Sequence, residues 1–235
     1  MIVSSSVPAT VTPCASVVVL RVPRSAAPED IDVLSESERA RAARFHFESD
    51  RSAFVTARAA LRRYLGRSLS CAPESVGLAQ GLNGRPMLDA AHRSALDFNV
   101  SHSGTMAALA FVQGGRVGVD IEWHGRDRGL RDLVPTVMGP RERAVLEALP
   151  EALFRARFFE FWTRKEAIVK AIGVGISYPL TDIDIPSLPA AGPVRIETAS
   201  PSDWMLQTRE PAADFTLSVA LAGEDGTIVE TRFES

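Results

Sequence analysis

Three short stretches of this chain carry side chains whose types and spacing could do chemistry on an anion. In Gly118-Val119-Asp120-Ile121-Glu122, strand alternation would turn Val119 and Ile121 one way and Asp120 and Glu122 the other. The two acidic Cα atoms would then lie roughly 6.5 Å apart, near enough for both carboxylates to close on one cation. Acids on the wet face of a strand are ordinary, so this spacing alone favours a metal only weakly. In Phe161-Trp162-Thr163-Arg164-Lys165-Glu166-Ala167-Ile168-Val169-Lys170, Glu166 and Lys170 stand one helical turn apart on the same face. At a surface such a pair contributes only a few tenths of a kcal/mol. Phe158, Phe159, Phe161 and Trp162 just upstream instead predict a largely buried helix, where charges need partners. A carboxylate at Glu166 would complete a shell with Asp120 and Glu122, leaving positions for water and phosphate oxygens as the hard cation Mg²⁺ prefers. Lys170 would then face the phosphate. The third stretch, Phe98-Asn99-Val100-Ser101-His102-Ser103-Gly104, places a hydroxyl and an imidazole where both can donate to an anion. A serine nucleophile is disfavoured there, because the first glycine of a nucleophile elbow is missing and strand neighbours point apart.

These groups need a scaffold, and the surrounding pattern supplies one. Val17–Val22 reads as a buried strand, and Ser35-Glu36-Ser37-Glu38 as a capping box opening a helix with Arg39, Arg41 and Arg44. A second helix is predicted from about Asp50 to Leu65, with Gly66 as its C-terminal cap. Asn83-Gly84 marks a tight turn, and strands are expected at Phe98–Val100 and Met106–Val112. A strand from about Arg116 to Glu122 follows Gly114-Gly115, then helices, the second starting near Pro140, and a long helix over Glu151–Ile172. Strand-like segments Trp204–Thr208, Phe215–Leu221 and Thr227–Phe233 close the pattern.

Thr56-Ala-Arg-Ala-Ala-Leu-Arg-Arg-Tyr-Leu-Gly66 aligns with Thr163-Arg-Lys-Glu-Ala-Ile-Val-Lys-Ala-Ile-Gly173 at an offset of 163 − 56 = 107. We therefore expect an α+β fold of two similar subdomains, residues 1–115 and 116–235, packed about a pseudo-twofold axis. The alternative is that two amphipathic helices share Thr, Ala, Leu and Gly by composition.

With 235 residues, 46% hydrophobic and 23% charged, the chain can bury a sizeable core. A formal net charge of −3 offers no global positive field for a nucleic acid or an anionic membrane, so any anion site must be local. Cys14 and Cys71 have neither zinc-ligand nor disulfide-framework spacing. Residues 1–16 lack the basic region of a signal peptide, and no apolar run approaches the length of about 20 residues that spans a bilayer. A cytoplasmic protein is expected.

Taken in order, Gly84-Arg-Pro, Asn99-Val-Ser-His-Ser-Gly, Gly118-Val-Asp-Ile-Glu and Trp162-Thr-x-Lys-Glu-Ala-x-x-Lys-Ala-x-Gly resemble the larger, two-halved Sfp-type 4′-phosphopantetheinyl transferases over nearly the whole chain. That resemblance implies Mg²⁺-dependent transfer of the 4′-phosphopantetheine of coenzyme A to a serine of an apo acyl, peptidyl or aryl carrier protein, with release of 3′,5′-ADP. It also implies that Asp120, Glu122 and Glu166 hold Mg²⁺, that Glu166 serves or orients the base, and that Lys170 neutralises the leaving group. Arg41, Arg85, Ser101 and His102 would contact the coenzyme A phosphates, and Gly84 and Lys170 also belong to the coenzyme A site. Glu38 departs from members with a basic residue there, which puts the grip on the 3′-phosphate in doubt. Ala59 falls opposite Glu166 in the repeat, so no second active site is expected.

Carrier domains are small and acidic, which suggests a basic and apolar docking surface near Arg128, Arg131 and the segment after Lys170. Two halves in one chain imply a monomer. The rival readings are a metal-dependent nuclease or phosphohydrolase, which would need a basic nucleic-acid groove, and a scaffolding protein that has lost activity. Which carrier is served, in fatty-acid, polyketide or peptide synthesis, is not written in these motifs.

Overall fold

The computed structural model describes residues 13–81, 84–125, 129–175, 178–185, 191–196, 202–223 and 226–234. Asn83, Arg128 and residues 1–12, all named above, lie outside these segments.

The first half opens with strand β1 (Cys14–Arg21), whose Val17-Val18-Val19-Leu20 run is buried on both faces because the sheet is covered on both sides. Helices α1 (Pro28–Asp32), α2 (Glu36–Ala42) and α3 (Glu48–Leu69) follow. The capping box of α2 forms as expected: Ser35 accepts from the Glu38 amide, and the Glu38 carboxylate accepts from the Ser35 amide. Gly66 does not cap α3. It is buried within the helix, where a Cβ would sit 2.8 Å from the Cys71 carbonyl oxygen. Its missing side chain makes room for the returning chain, and the helix ends instead at Ser70, with φ 55° in the left-handed region. A small hairpin, β2 (Leu78–Gln80) with β3 (Pro86–Leu88), precedes β4 (Leu96–Ser103) and β5 (Met106–Gln113).

The second half comprises β6 (Val117–Trp123), α4 (Leu130–Val137), α5 (Pro140–Ala148), α6 (Glu151–Ile172), β7 (Ala191–Ile196), β8 (Ser202–Arg209), β9 (Phe215–Ala222) and β10 (Thr227–Glu234). Its main sheet has the order β6-β9-β8-β7, and the first half's sheet the order β10-β1-β5-β4. The three-strand unit β1-β5-β4 thus recurs as β6-β9-β8, each with antiparallel neighbours. Each half also carries a 22-residue helix, α3 or α6. One strand breaks the division at 115/116: β10 pairs in parallel with β1 and completes the first half's sheet. An open β1 edge would leave unpaired backbone groups, and β10 covers them.

The layers run α3, first sheet, second sheet, α6. Between the sheets lies an apolar core that includes Val17, Val19, Ala108, Ala110, Val119, Ile121, Leu217 and Val219. The outer face of the first sheet packs Phe98, Leu109 and Phe111 against Ala57, Leu61 and Leu65 of α3. The outer face of the second packs Trp204, Leu206 and Ala220 against Ala167, Ile168 and Ala171 of α6. No helix among the described residues is long and apolar enough to cross a membrane.

Candidate active site

The two halves meet where β4 runs beside β6, and the join is made by side chains. Val117, Val119, Ile121 and Trp123 of β6 donate their backbone N–H groups to Asp97 Oδ2 (3.0 Å), Asn99 Oδ1 (3.0 Å), Ser101 Oγ (3.3 Å) and Ser103 Oγ (3.1 Å) of β4. Alternation sets every second β4 side chain on this seam, while Phe98 packs against α3. The same hydroxyls turn outward to the acids: Ser101 donates to Asp120 Oδ1 at 2.9 Å and Ser103 to Glu122 Oε2 at 2.7 Å. Val119 and Ile121 are fully buried in the intersheet core, and Asp120 and Glu122 occupy the opposite face, towards α6.

Helix α6 approaches β6 closely at Gly118, where a Cβ would lie 1.9 Å from the Ala167 carbonyl oxygen. This approach brings Lys170 Nζ to 2.6 Å from Asp120 Oδ1 and 2.9 Å from Ser101 Oγ. Asp120 is 3% exposed, and its second oxygen, Oδ2, is buried without a hydrogen-bond partner among the described residues. Burial raises the Asp120 pKa above the ordinary carboxylate value, opposed by Lys170 and Ser101. Half-buried Glu166 is also pushed up, first by burial and then by the negative charges of Asp120 and Glu122, against the pull of Lys170. Three carboxylates therefore share one field with one cation. They do not form a ready-made metal shell: no group of three or more His, Cys, Asp or Glu among the described residues is so arranged. The donor set, all oxygen with one orphaned buried acceptor, nevertheless suits a hard cation.

The other expected ligands separate into two groups. Arg41 and His102 are exposed, and Gly84, with φ +75°, stands at a turn where a side chain would be strained. Ser101 is turned into the seam, its hydroxyl shared by Asp120, Lys170 and the Ile121 amide. Arg85 likewise spends its guanidinium on the protein. It donates to the carbonyls of Lys170 (2.6 Å) and Phe98 (2.9 Å) and to both oxygens of Asp97 (2.9 and 3.0 Å). The side chains of Ser101 and Arg85, both expected to contact phosphate, are thus held by internal bonds to β4, β6 and α6.

A groove of about 500 Å³ lies between α2, α3 and residues 74–80, with Arg41, Arg44, Arg58 and Arg62 in its walls. It shares Gly84 and Pro86 with a smaller cavity of about 200 Å³ that reaches Asn99 and Lys170. A roomier groove, about 620 Å³, lies between α6 and the β8 and β9 strands, and Asp120, Glu122 and Glu166 are not in its walls.

Glu38 is the organiser of the arginine wall. Its Oε2 accepts from Arg62 Nε at 2.6 Å, and Oε1 lies 3.6 Å from Arg58 Nε. Burial works to raise the Glu38 pKa, but bonds from Arg62 and the Ser35 amide outweigh it and the net shift is downward. Arg58 and Arg41 both lie over the Phe54 ring, at 5.6 and 5.0 Å from its centroid. The glutamate in the place of a basic residue is thus a strut, not a repelling wall. Arg58 was not singled out by sequence reasoning; Glu38 and Arg58, on neighbouring helices, carried no signal that linked them.

Residues 116–220 match the family model described as the 4′-phosphopantetheinyl transferase superfamily, and residues 26–113 match that described as 4′-phosphopantetheinyl transferase, N-terminal. The 4′-phosphopantetheinyl transferase HetI of Nostoc sp. is 36% identical over 191 residues, covering 81% of this chain and 79% of its own. The 4′-phosphopantetheinyl transferase AcpT of Salmonella typhi is 37% identical over 141 residues, 59% of this chain and 70% of its own. A crystal structure of a holo-(acyl-carrier-protein) synthase from Bacillus anthracis in complex with CoA (3′,5′-ADP) covers 46% of this chain and 94% of its own. It is 19% identical with a TM-score of 0.35, too slight a likeness to rest anything on.

Proposed function

The chain belongs to the 4′-phosphopantetheinyl transferases, and from that premise we propose that it transfers the 4′-phosphopantetheine of coenzyme A to a serine of an apo acyl, peptidyl or aryl carrier protein. The observation that carries this reading is that Lys170, bonded to Asp120 and coupled in charge to Glu166, lines a small cavity that shares Gly84 and Pro86 with the arginine-walled groove.

Asp120, Glu122 and Glu166 would hold Mg²⁺, for which the unpartnered Asp120 Oδ2 is a waiting ligand. When bound, the cation supplies neutralisation of the pyrophosphate charge. Arg41, Arg44 and Arg58 hold the donor's phosphates along the groove, with His102 as a further donor. Lys170, aimed by Asp120 and Ser101, offsets the charge that develops on the leaving 3′,5′-ADP. Glu166, its proton affinity raised by burial and by two neighbouring carboxylates, accepts the proton of the incoming serine. The serine Oγ–P bond forms as the P–O bond to 3′,5′-ADP breaks, leaving a phosphodiester on the carrier. The chain acts as a monomer, since its two halves already supply the intersheet interface.

Intact mass of a panel of apo carrier domains, incubated with the protein, coenzyme A and Mg²⁺, tests the proposal. A gain of one phosphopantetheine, lost without Mg²⁺ and in Glu166→Gln, is expected. Failure to bind coenzyme A at all would sink it and favour the nuclease alternative.

A further inference from the structure

Arg85 lies in the first half, at the entry to β3, yet its partners span the molecule. Nη1 donates to the carbonyls of Lys170 (2.6 Å) and Ala171 (3.3 Å) in the last turn of α6. Nη2 donates to the Asp97 carboxylate and Phe98 carbonyl of β4, with the Val117 carbonyl of β6 at 3.4 Å. The remaining N–H, at Nε, is buried too, and the side chain is 15% exposed. Carbonyls at a helix C-terminus have no partner within the helix, and a cation there is favoured by the dipole. Asp97 also accepts the Val117 amide, so the clamp begins where the polar seam begins.

We propose that Arg85 is a positioning residue for Lys170: it pins the backbone of the last α6 turn to β4 and β6, and so fixes the ammonium against Asp120. The proposal rests on the transferase reading only for what Lys170 does, not for where it is held. A phosphate ligand would raise KM for coenzyme A and discriminate against 3′-dephospho-coenzyme A. A clamp acts on kcat.

Steady-state transfer by Arg85→Ala, Arg85→Lys and Asp97→Asn, with coenzyme A and with 3′-dephospho-coenzyme A, separates the two. Under the clamp, Arg85→Ala lowers kcat about 10²-fold, the scale of a small misplacement, and the preference for coenzyme A over the dephospho form stays at the wild-type value. Arg85→Lys is intermediate, because an ammonium cannot fork across Asp97 and two carbonyls. Asp97→Asn keeps an acceptor for the Val117 amide and lowers kcat in the same sense. It carries the test with Arg85→Lys if Arg85→Ala does not fold. Unchanged kcat with raised KM and a collapsed preference would overturn the proposal. Amide hydrogen exchange in the last turn of α6 needs no turnover: acceleration in the Arg85 variants supports the clamp, and unchanged exchange defeats it. Faster exchange in the variants of a chain that does not bind coenzyme A would sink the transferase reading and leave the clamp standing.

Discussion

The two halves contain the same device, used to opposite ends. In each, a glutamate at the third position of a short helix caps that helix: Glu38 accepts the Ser35 amide in α2, and Glu142 accepts the Gly139 amide in α5. Each glutamate also meets a cation on the long helix beside it, Arg58 and Arg62 in one half and Lys165 in the other. In the repeat register Lys165 stands opposite Arg58, since 165 − 107 = 58. The cations then tie down the segment after their helix, Arg62 through the carbonyls of Pro73, Glu74 and Val76, and Lys165 through that of Leu180. The difference is balance and access. Glu142 and Lys165 are one to one and both 0% exposed, whereas Glu38 serves two arginines, with Arg41 beside them, on an open groove. Sealed and balanced, the device is scaffold; open and over-charged, it is the groove we propose for the donor's phosphates. The acids follow the reverse distribution, with Glu166 standing opposite Ala59.

This division of labour can be broken at named points. The largest effect is expected at Glu166, which stands opposite Ala59 in the repeat: Glu166→Gln should lower kcat by about 10⁴-fold, the upper range for a lost proton acceptor, with thermal unfolding unchanged. Next, Lys165→Met should leave Glu142 buried without its partner and cost about 3–5 kcal/mol of stability, read by chemical denaturation. Pairing it with Glu142→Leu should recover much of that loss. In the first half the corresponding change, Arg58→Ala, should spare stability and weaken coenzyme A binding about tenfold or more, as loss of a charge-assisted bond does, measured by calorimetry at two salt concentrations. If Arg58→Ala instead behaves like Lys165→Met, the contrast between the halves is wrong.

The smallest effect belongs to the second half alone. His124 is buried, bonded to Thr216 and stacked on Phe159, and burial lowers its pKa below the ordinary imidazole value despite opposing Asp214 and Glu210. The unfolded chain takes up this proton near pH 6.5, so the stabilisation is complete above that pH and is lost as pH falls towards the lower folded value. A His124→Gln variant should show a flatter decline of Tm below about pH 6.5 than the wild type.

Much of this arrangement was legible because it follows from periodicity. The two-residue repeat placed Asp120 and Glu122 together, the helical turn placed Lys170 with Glu166, and Ser35-Glu36-Ser37-Glu38 marked its own helix start. What was not legible depends on partners distant in sequence. Thr227–Phe233 reads as a strand, but nothing in its alternation says that it crosses to β1. An arginine after Gly84 looks the same whether it meets a phosphate or the carbonyls of α6, and Arg58 looks like any charged position on a helix until Glu38 is seen beside it. Gly66 misled because a glycine that admits a neighbouring backbone and one that caps a helix are the same letter.

The seam between β4 and β6 has a consequence for how the halves find their alignment. A ladder of backbone groups is indifferent to sequence, and strands joined that way can slide by two residues and pair again. Here the rungs on β4 are side chains of three kinds, in the order Asp97, Asn99, Ser101, Ser103. Sliding by one rung would set the Asn99 amide where the Ser101 hydroxyl belongs and leave Asp120 and Lys170 without the group they share. The join therefore works as a keyed lock: only one setting of one half against the other both closes the interface and loads the carboxylates.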